Sequence, residues 1–70
     1  MSALVRLKAL RLERAMTQKQ LSEFLGIEES SYQRLEYGKS RPHLDNVVKI
    51  ADLFDISIDY LIGRSDDPNY

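Results

Sequence analysis

The sequence contains no cysteine and no tryptophan, and it has one histidine, two prolines and three glycines. Without cysteine, the chain forms neither a disulfide nor a thiolate metal site. A lone histidine does not make a catalytic triad or a metal cluster, and no glycine-rich phosphate loop is present. These absences argue against an enzyme, and they predict that the chain binds no cofactor and no metal.

Long apolar stretches are also missing, since no run approaches the ~20 residues that a membrane-spanning helix needs. The amino-terminal residues lack the apolar core and the cleavage site of a signal peptide. We therefore expect a cytoplasmic protein without membrane contacts. Its 70 residues allow one domain with a small core.

Charge is almost balanced, at −1 overall, but it is unevenly distributed along the chain. Residues 1–41 carry eight Lys or Arg and five Glu, a net +3, whereas residues 42–70 carry two basic residues and six Asp, a net −4. We expect a two-faced molecule whose basic side meets an anionic partner. The alternative is ordinary surface charge without a functional role.

The stretch from Thr17 to Gly38 is the most informative part of the sequence. Thr17 has the features of an N-cap whose backbone N–H bonds Gln20 in a capping box. Leu21 and Leu25 then recur at helical spacing, and Gly26 follows where a helix ends in a left-handed residue. A second apolar pattern ends at Gly38. Two short helices joined at a glycine indicate a helix-turn-helix, whose second helix can enter a DNA major groove.

Three further helices are predicted around this unit. The first spans residues 2–15, with Leu4, Leu7 and Leu10 on one face. Helix 4 runs from Leu44 to about Phe54 with Leu44 in its buried stripe, and helix 5 covers residues 58–62 after a Ser57 cap. Residues 64–70 lack periodicity and are predicted to form a flexible tail.

The pattern Gln18-x-x-Leu21-Ser22-x-x-Leu25-Gly26-Ile27, followed by Tyr32-x-x-Leu35-Glu36-x-Gly38, resembles the helix-turn-helix domain of the lambda-repressor and Cro-like family. The resemblance continues through the run from Ile50 to Gly63 and covers residues 4–63. It implies an all-α, compact five-helix domain over residues 1–63, with the motif at about residues 18–37.

The resemblance also implies where double-stranded DNA binds. The outward positions of helix 3 include candidate base-reading residues: Glu29, Ser30, Gln33 and Arg34. Arg34 can bond guanine O6 and N7, and Glu29 can accept from cytosine N4. Glu28 and Glu29 place negative charge near the phosphates, so either Glu29 reads cytosine or non-specific affinity is low.

Phosphate contacts are expected from a second group, which positions the protein without reading sequence. Its members are hydroxyl-bearing, amide or cationic residues: Thr17, Gln18, Tyr37, Lys39, Ser40 and Arg41. Gln18 matches a family position that touches phosphate and supports the recognition helix.

Arg11 allows two interpretations. It contacts a phosphate, or it forms a structural ion pair with Glu36, as an Arg at this place in the family often does. Helix 1 must pack on helix 3 in this fold, which favours the ion pair.

The resulting hypothesis is a prokaryotic or phage transcriptional regulator, most simply a repressor that reads a near-palindromic operator; an activator with a surface that touches polymerase is the alternative. A weak homodimer that tightens on DNA is expected, with Tyr60 and Ile62 as its apolar contacts. An antitoxin or a restriction–modification controller would have the same sequence features. The rival hypothesis is a protein-interaction module that keeps the fold and does not bind DNA.

Overall fold

The computed structural model describes residues 3–69, and these residues form five helices and no strand. The helices are α1 (Leu7–Glu13), α2 (Gln18–Leu25), α3 (Glu29–Tyr37), α4 (Leu44–Phe54) and α5 (Ile58–Leu61). Helix α2 packs against α3 and α4, and α4 packs against α5. The predicted all-α, five-helix fold is confirmed.

One core joins all five helices. Its largest fully buried side chains come from α1, α2, α3, α4 and α5, in that order: Leu7, Leu21, Tyr32, Ile50 and Leu61. Each of these residues sits on the apolar stripe of its own helix, so burial follows the helical periodicity of the sequence. The polar faces of the helices are exposed to solvent, and the polar face of α3 contributes to the candidate site.

Helix α1 is shorter than the predicted span of residues 2–15. It begins at Leu7, residues 3–6 form bends and turns, and residue 2 lies outside the described residues. The reason is tertiary: the backbone N–H of Arg6 donates to the Leu61 carbonyl at 3.4 Å, and Leu4 is only 2 % exposed. The bond to Leu61 and the burial of Leu4 hold residues 3–6 in turns instead of a helix. At the other end, Ala15 adopts φ 53°, which ends the helix.

Helices α4 and α5 follow the prediction closely, with two differences. Leu44, placed in the buried stripe, is 72 % exposed because it is the first residue of α4, and the stripe begins one turn later at Val47. Helix α5 ends at Leu61, one residue earlier than predicted. The Ser57 cap is confirmed, since its hydroxyl accepts from the Tyr60 N–H at 3.1 Å.

Residues 64–69 lie against α5. The N–H groups of Arg64 and Ser65 donate to the Asp59 carbonyl at 2.8 and 3.2 Å, and the Pro68 carbonyl accepts from the Ser57 N–H at 2.8 Å. The flexibility expected of residues 64–70 stays a prediction, and Tyr70 lies outside the described residues.

Candidate nucleic-acid interface

The α2–α3 unit is shaped by local chemistry that the sequence already contains. Thr17 Oγ1 accepts from the Gln20 N–H at 3.0 Å, while the Thr17 N–H donates to Gln20 Oε1 at 2.9 Å. This capping box satisfies two free N–H groups at the start of α2. Gly26 ends the helix at φ 71°, a left-handed conformation that glycine adopts at little cost. The turn leads into α3, which packs against α2 and leaves its polar face exposed.

The four candidate base-reading residues share that polar face. Glu29, Ser30 and Arg34 are exposed and Gln33 is partly exposed. Their spacing of i, i+1, i+4 and i+5 places them on one side of the helix, opposite the buried residues of α3. The structure therefore presents all four on a single surface strip, which is the requirement for contact with base edges in one groove.

Three of the candidate phosphate contacts lie beside this strip. Thr17, Gln18 and Tyr37 line one groove of about 500 Å³, and Glu29 lines it too. Lys8 borders the same groove, although the sequence analysis does not assign it to the site. Its place beside Thr17 and Gln18 brings together residues of two different elements, so no spacing in the sequence indicates it.

The other three candidates form a separate group. Lys39, Ser40 and Arg41 line an open groove of about 640 Å³ after α3. Arg64 and Ile62 border this groove as well. Arg64 is a further cation that the sequence analysis missed, because its position beside the loop depends on how residues 64–69 fold back.

Beneath the surface strip, a buried ion pair joins α1 to α3. Arg11 Nε donates to Glu36 Oε2 at 2.6 Å, and Arg11 Nη1 donates to the Met16 carbonyl at 2.9 Å. Arg11 is 8 % exposed, and the Glu36 side chain is fully buried. The structure therefore places Arg11 in the ion pair rather than on the surface as a phosphate ligand.

Two more side chains donate to the same carboxylate. The Tyr32 hydroxyl donates to Glu36 Oε2 at 2.5 Å, and Gln18 Nε2 donates to Glu36 Oε1 at 3.2 Å. Burial raises the pKa of Glu36, but the hydrogen bonds from Arg11, Tyr32 and Gln18 outweigh it, so the pKa lies below its ordinary value. Glu36 is thus kept ionised.

The pKa values of two partners of Glu36, the Tyr32 hydroxyl and Arg11, are raised. Burial raises the pKa of the Tyr32 hydroxyl, and its hydrogen bond to the carboxylate raises it further. The hydrogen bond to Glu36 likewise raises the pKa of Arg11. Both shifts favour the protonated forms, so near neutral pH Tyr32 is a hydrogen-bond donor and Arg11 a cation.

Three candidate DNA-contacting cations have no acidic partner among the residues that the structure describes. Within residues 3–69, the two ion pairs are Arg6–Asp66 and Arg11–Glu36, so Arg34, Lys39 and Arg41 have no acidic partner there. Free cations beside an outward polar helix are available to phosphates or guanine. The arrangement can bind an anionic polymer, and among the described residues no cluster of metal-ligand side chains occurs.

The described part of the chain also has no helix that is long and apolar enough to cross a membrane. The six aspartates lie on α4 and α5 and in the segments that follow each of them. The separation of a basic from an acidic face stays a prediction.

A fold of five helices, a capped α2, a glycine turn and an outward polar α3 define the helix-turn-helix class of DNA-binding domains. The sequence profile of that family, described as helix-turn-helix, matches residues 7–61. The chain therefore belongs to the helix-turn-helix family, whose members act as DNA-binding transcriptional regulators, and the resemblance to lambda-repressor-like domains is confirmed.

Several curated proteins are similar to this chain. The uncharacterized HTH-type transcriptional regulator YobD of Bacillus subtilis is 44 % identical over 64 residues, covering 91 % of this chain and 57 % of YobD. The cryptic phage CTXphi transcriptional repressor RstR of Vibrio cholerae is 48 % identical over 48 residues, covering 69 % of this chain and 43 % of RstR. The HTH-type transcriptional regulator AnsR of Bacillus subtilis is 39 % identical over 59 residues, covering 84 % and 51 %. The chain spans about half the length of these relatives.

Proposed function

We propose that the chain binds double-stranded DNA sequence-specifically and acts in the cytoplasm as the operator-binding part of a repressor. The observation that carries the proposal is the exposed polar strip of α3, together with Arg34, Lys39 and Arg41, which have no acidic partner within residues 3–69. The repressor assignment is supported by the printed name of RstR, which shares 48 % identity with this chain over the aligned residues. A repressor of this kind would act by occupying its operator and excluding polymerase, a binding role rather than catalysis.

Base recognition is assigned to the strip of α3, inserted in the major groove. Arg34 bonds guanine, Glu29 accepts from cytosine N4, and Ser30 donates or accepts. The DNA backbone is contacted by six residues that line the two grooves: Thr17, Gln18, Tyr37, Lys39, Ser40 and Arg41. These contacts fix the register of α3 without discriminating between base pairs.

A two-fold dimer is part of the proposal, because one α3 covers only a few base pairs. Tyr60 and Ile62 are both partly buried, and Ile62 borders the groove that contains Arg41. The Arg6 guanidinium lies 4.0 Å from the centroid of the Tyr60 ring, so one face of Tyr60 is already covered. A contact made by two partly buried side chains fits a dimer that is weak alone and tightens on a near-palindromic operator.

The decisive experiment compares Arg34→Ala with Lys39→Ala on a site selected from randomised duplexes. Arg34→Ala should lose about 1–3 kcal/mol of discrimination at one base pair, since a bidentate guanine contact disappears. Lys39→Ala should weaken binding to all sequences alike and reduce the salt slope by about one unit. Both side chains are exposed, so thermal stability should not change.

If Arg34→Ala binds every sequence as the unchanged protein does, Arg34 is not a base reader. If the unchanged protein selects no site at any salt concentration, the protein-interaction alternative replaces DNA binding. An antitoxin or a restriction–modification controller would give the same result in this experiment, since both also bind specific DNA.

A further inference from the structure

The groove after α3 is lined by cations from two separate parts of the chain. Lys39 and Arg41 come from the loop between α3 and α4, whereas Arg64 comes from the segment that follows α5. All three side chains are exposed. None of them has an acidic partner within residues 3–69, since the two ion pairs of that part of the chain involve other residues.

The rest of the lining favours an anion at this groove. No acidic residue lines it, and its walls include the apolar side chains of Ala3, Val5 and Ile62. A cleft with one sign of charge and low-dielectric walls concentrates the electric field and attracts ions of the opposite sign. The groove of about 500 Å³, by contrast, contains Glu29 and Glu36 beside its cations. The groove after α3 therefore carries the larger excess of positive charge.

The backbone before Arg64 is fixed by the end of α5. Gly63 turns the chain at φ 83°, a left-handed conformation that glycine adopts at little cost. A Cβ added to Gly63 would lie 2.7 Å from Val5 Cγ2, so a larger residue does not fit without a shift. Directly after this turn, the Arg64 N–H donates to the Asp59 carbonyl at 2.8 Å. The turn and this bond bring Arg64 back to the groove.

The backbone after Arg64 is held by Arg6. The Nη1 atom of Arg6 donates to the Ser65 carbonyl at 3.0 Å and to the Tyr60 carbonyl at 2.6 Å. The Arg6 side chain is 26 % exposed, and its guanidinium is bonded within the chain. Arg6 is therefore suited to hold the segment that carries Arg64, and not to bind an external anion itself.

We propose that Arg64 contacts a phosphate of the DNA backbone at the groove after α3, and that Arg6 is a positioning residue that holds Arg64 there. The inference rests on the proposed function, because it requires DNA to lie against this face. It extends the surface that binds the backbone beyond the helix-turn-helix and its loop to the segment after α5. Base recognition by α3 is not affected.

The test measures dissociation constants over a series of salt concentrations, for a selected duplex and for one of unrelated sequence. The proteins are the unchanged chain, Arg64→Met, Arg6→Met and the double variant. Methionine keeps an apolar stem and removes the charge. Lys49→Met is the matched control, because Lys49 is an exposed cation of α4 that lines neither groove. Helicity and thermal melting verify that each variant is folded.

We expect Arg64→Met to weaken binding to both duplexes by the same factor. The loss should be about 1.4- to 5-fold, the value of an exposed ion pair. The slope of log K against log salt should fall by about 0.9, the contribution of one phosphate contact. The ratio of the two dissociation constants should stay as it was, since a phosphate carries no base identity. Lys49→Met should keep the salt slope of the unchanged protein.

Arg6→Met distinguishes positioning from direct contact. In the presence of Arg64 it should reduce the salt slope, because the segment that carries Arg64 loses its bond to Arg6. In the Arg64→Met background it should have no further effect on either duplex. A residue that contacted DNA itself would weaken binding equally in both backgrounds.

Neutral phosphate analogues identify the contact on the DNA. Single methylphosphonates are placed in turn along each strand of the selected duplex. At one position the replacement should weaken binding of the unchanged protein and leave binding of Arg64→Met as it was, because the charge that Arg64 contacts has been removed.

Three results would overturn the assignment of Arg64 while leaving the proposed function intact. They are an unchanged salt slope in Arg64→Met, a loss of discrimination at a single base pair, and the same methylphosphonate profile with and without Arg64. Equal losses from Arg6→Met in the two backgrounds would overturn its positioning role. If the unchanged protein selects no site, the proposed function is wrong and this inference fails with it.

Discussion

At the scale of single residues, Glu36 stabilises the domain and supports the helix that we propose contacts DNA. Its carboxylate is buried, and it accepts from Arg11, Tyr32 and Gln18. A buried carboxylate is tolerated only when such donors compensate for its lost hydration. Arg11, Gln18 and Tyr32 belong to α1, α2 and α3, so their hydrogen bonds to Glu36 hold these three helices together. The orientation of the surface strip of α3 therefore depends on Glu36.

Removing one partner of the Arg11–Glu36 ion pair should strongly destabilise the domain. Glu36→Met leaves the Arg11 guanidinium buried without its partner, and we expect a loss of about 3–5 kcal/mol in the free energy of unfolding. The double variant Arg11→Met with Glu36→Met should recover part of that loss, because no buried charge remains uncompensated. Urea denaturation followed by helicity measures all of these values. A double variant as unstable as the sum of its two single variants would contradict the account.

The contribution of Glu36 should also depend on pH. Its pKa is lowered by folding, so at acidic pH the unfolded chain binds the proton more readily than the folded domain does. The stabilisation is therefore fully present above the ordinary glutamate value of about 4.3, and it is lost as pH falls through the lower folded-state value.

The measurement compares the unchanged protein with Glu36→Gln by urea denaturation over an acidic pH series. The difference in free energy of unfolding between the two should be constant near neutrality and should shrink below about pH 4. A difference that grows on acidification would show that the folded-state pKa of Glu36 is raised instead.

At the scale of elements, Arg6 ties the segment before α1 to the end of the chain. Its guanidinium donates to the Tyr60 carbonyl at 2.6 Å and to the Ser65 carbonyl at 3.0 Å. It also pairs with Asp66 at 3.0 Å, but the Asp66 side chain is fully exposed, so that ion pair contributes little. The carbonyl bonds and the stacking on Tyr60 therefore provide most of the tether.

We expect Arg6→Met to increase the mobility of residues 64–69, since the bond to Ser65 disappears, while α2 and α3 are unchanged. Backbone ¹⁵N relaxation measures this directly on the nanosecond timescale. Asp66→Asn is the matched control, because it removes only the exposed ion pair and should leave the relaxation of Ser65 as it was. Identical relaxation in Arg6→Met and the unchanged protein would remove Arg6 as the tether.

The elements also show which features the sequence predicts and which it does not. The bounds of α2 follow from the Thr17 capping box and Gly26, which are local chemistry and therefore readable from the sequence. The length of α1 depends on a bond from Arg6 to Leu61, two residues far apart in sequence. The point at which α1 begins is therefore set by a tertiary contact, and the local sequence carries no signal for it.

The same distinction applies to the site. The strip proposed to read bases is predictable because helical periodicity alone puts its members on one face. Three features require the folded chain: the contact between Gln18 and Gln33, the place of Lys8 beside Thr17, and that of Arg64 beside Lys39. Each brings together residues from different elements, and no spacing in the sequence encodes it.

At the scale of the whole molecule, a domain with a net charge of −1 is not attracted to DNA by its total charge. Binding must come from the local distribution, in which Arg34, Lys39 and Arg41 have no acidic partner within residues 3–69. Such a domain should hold non-specific DNA weakly, with binding that weakens steeply as salt increases. Specific base contacts then supply the difference between operator and non-operator sequences.

An NMR titration of ¹⁵N-labelled protein with a short duplex of arbitrary sequence at low salt tests the central claim most directly. It requires no knowledge of the operator. We expect shifts concentrated at Gln18, at residues 29–34 and at residues 39–41, all reversed by added salt. Absence of shifts at millimolar duplex, or shifts confined to α4 and α5, would contradict the claim that this face of the helix-turn-helix binds DNA.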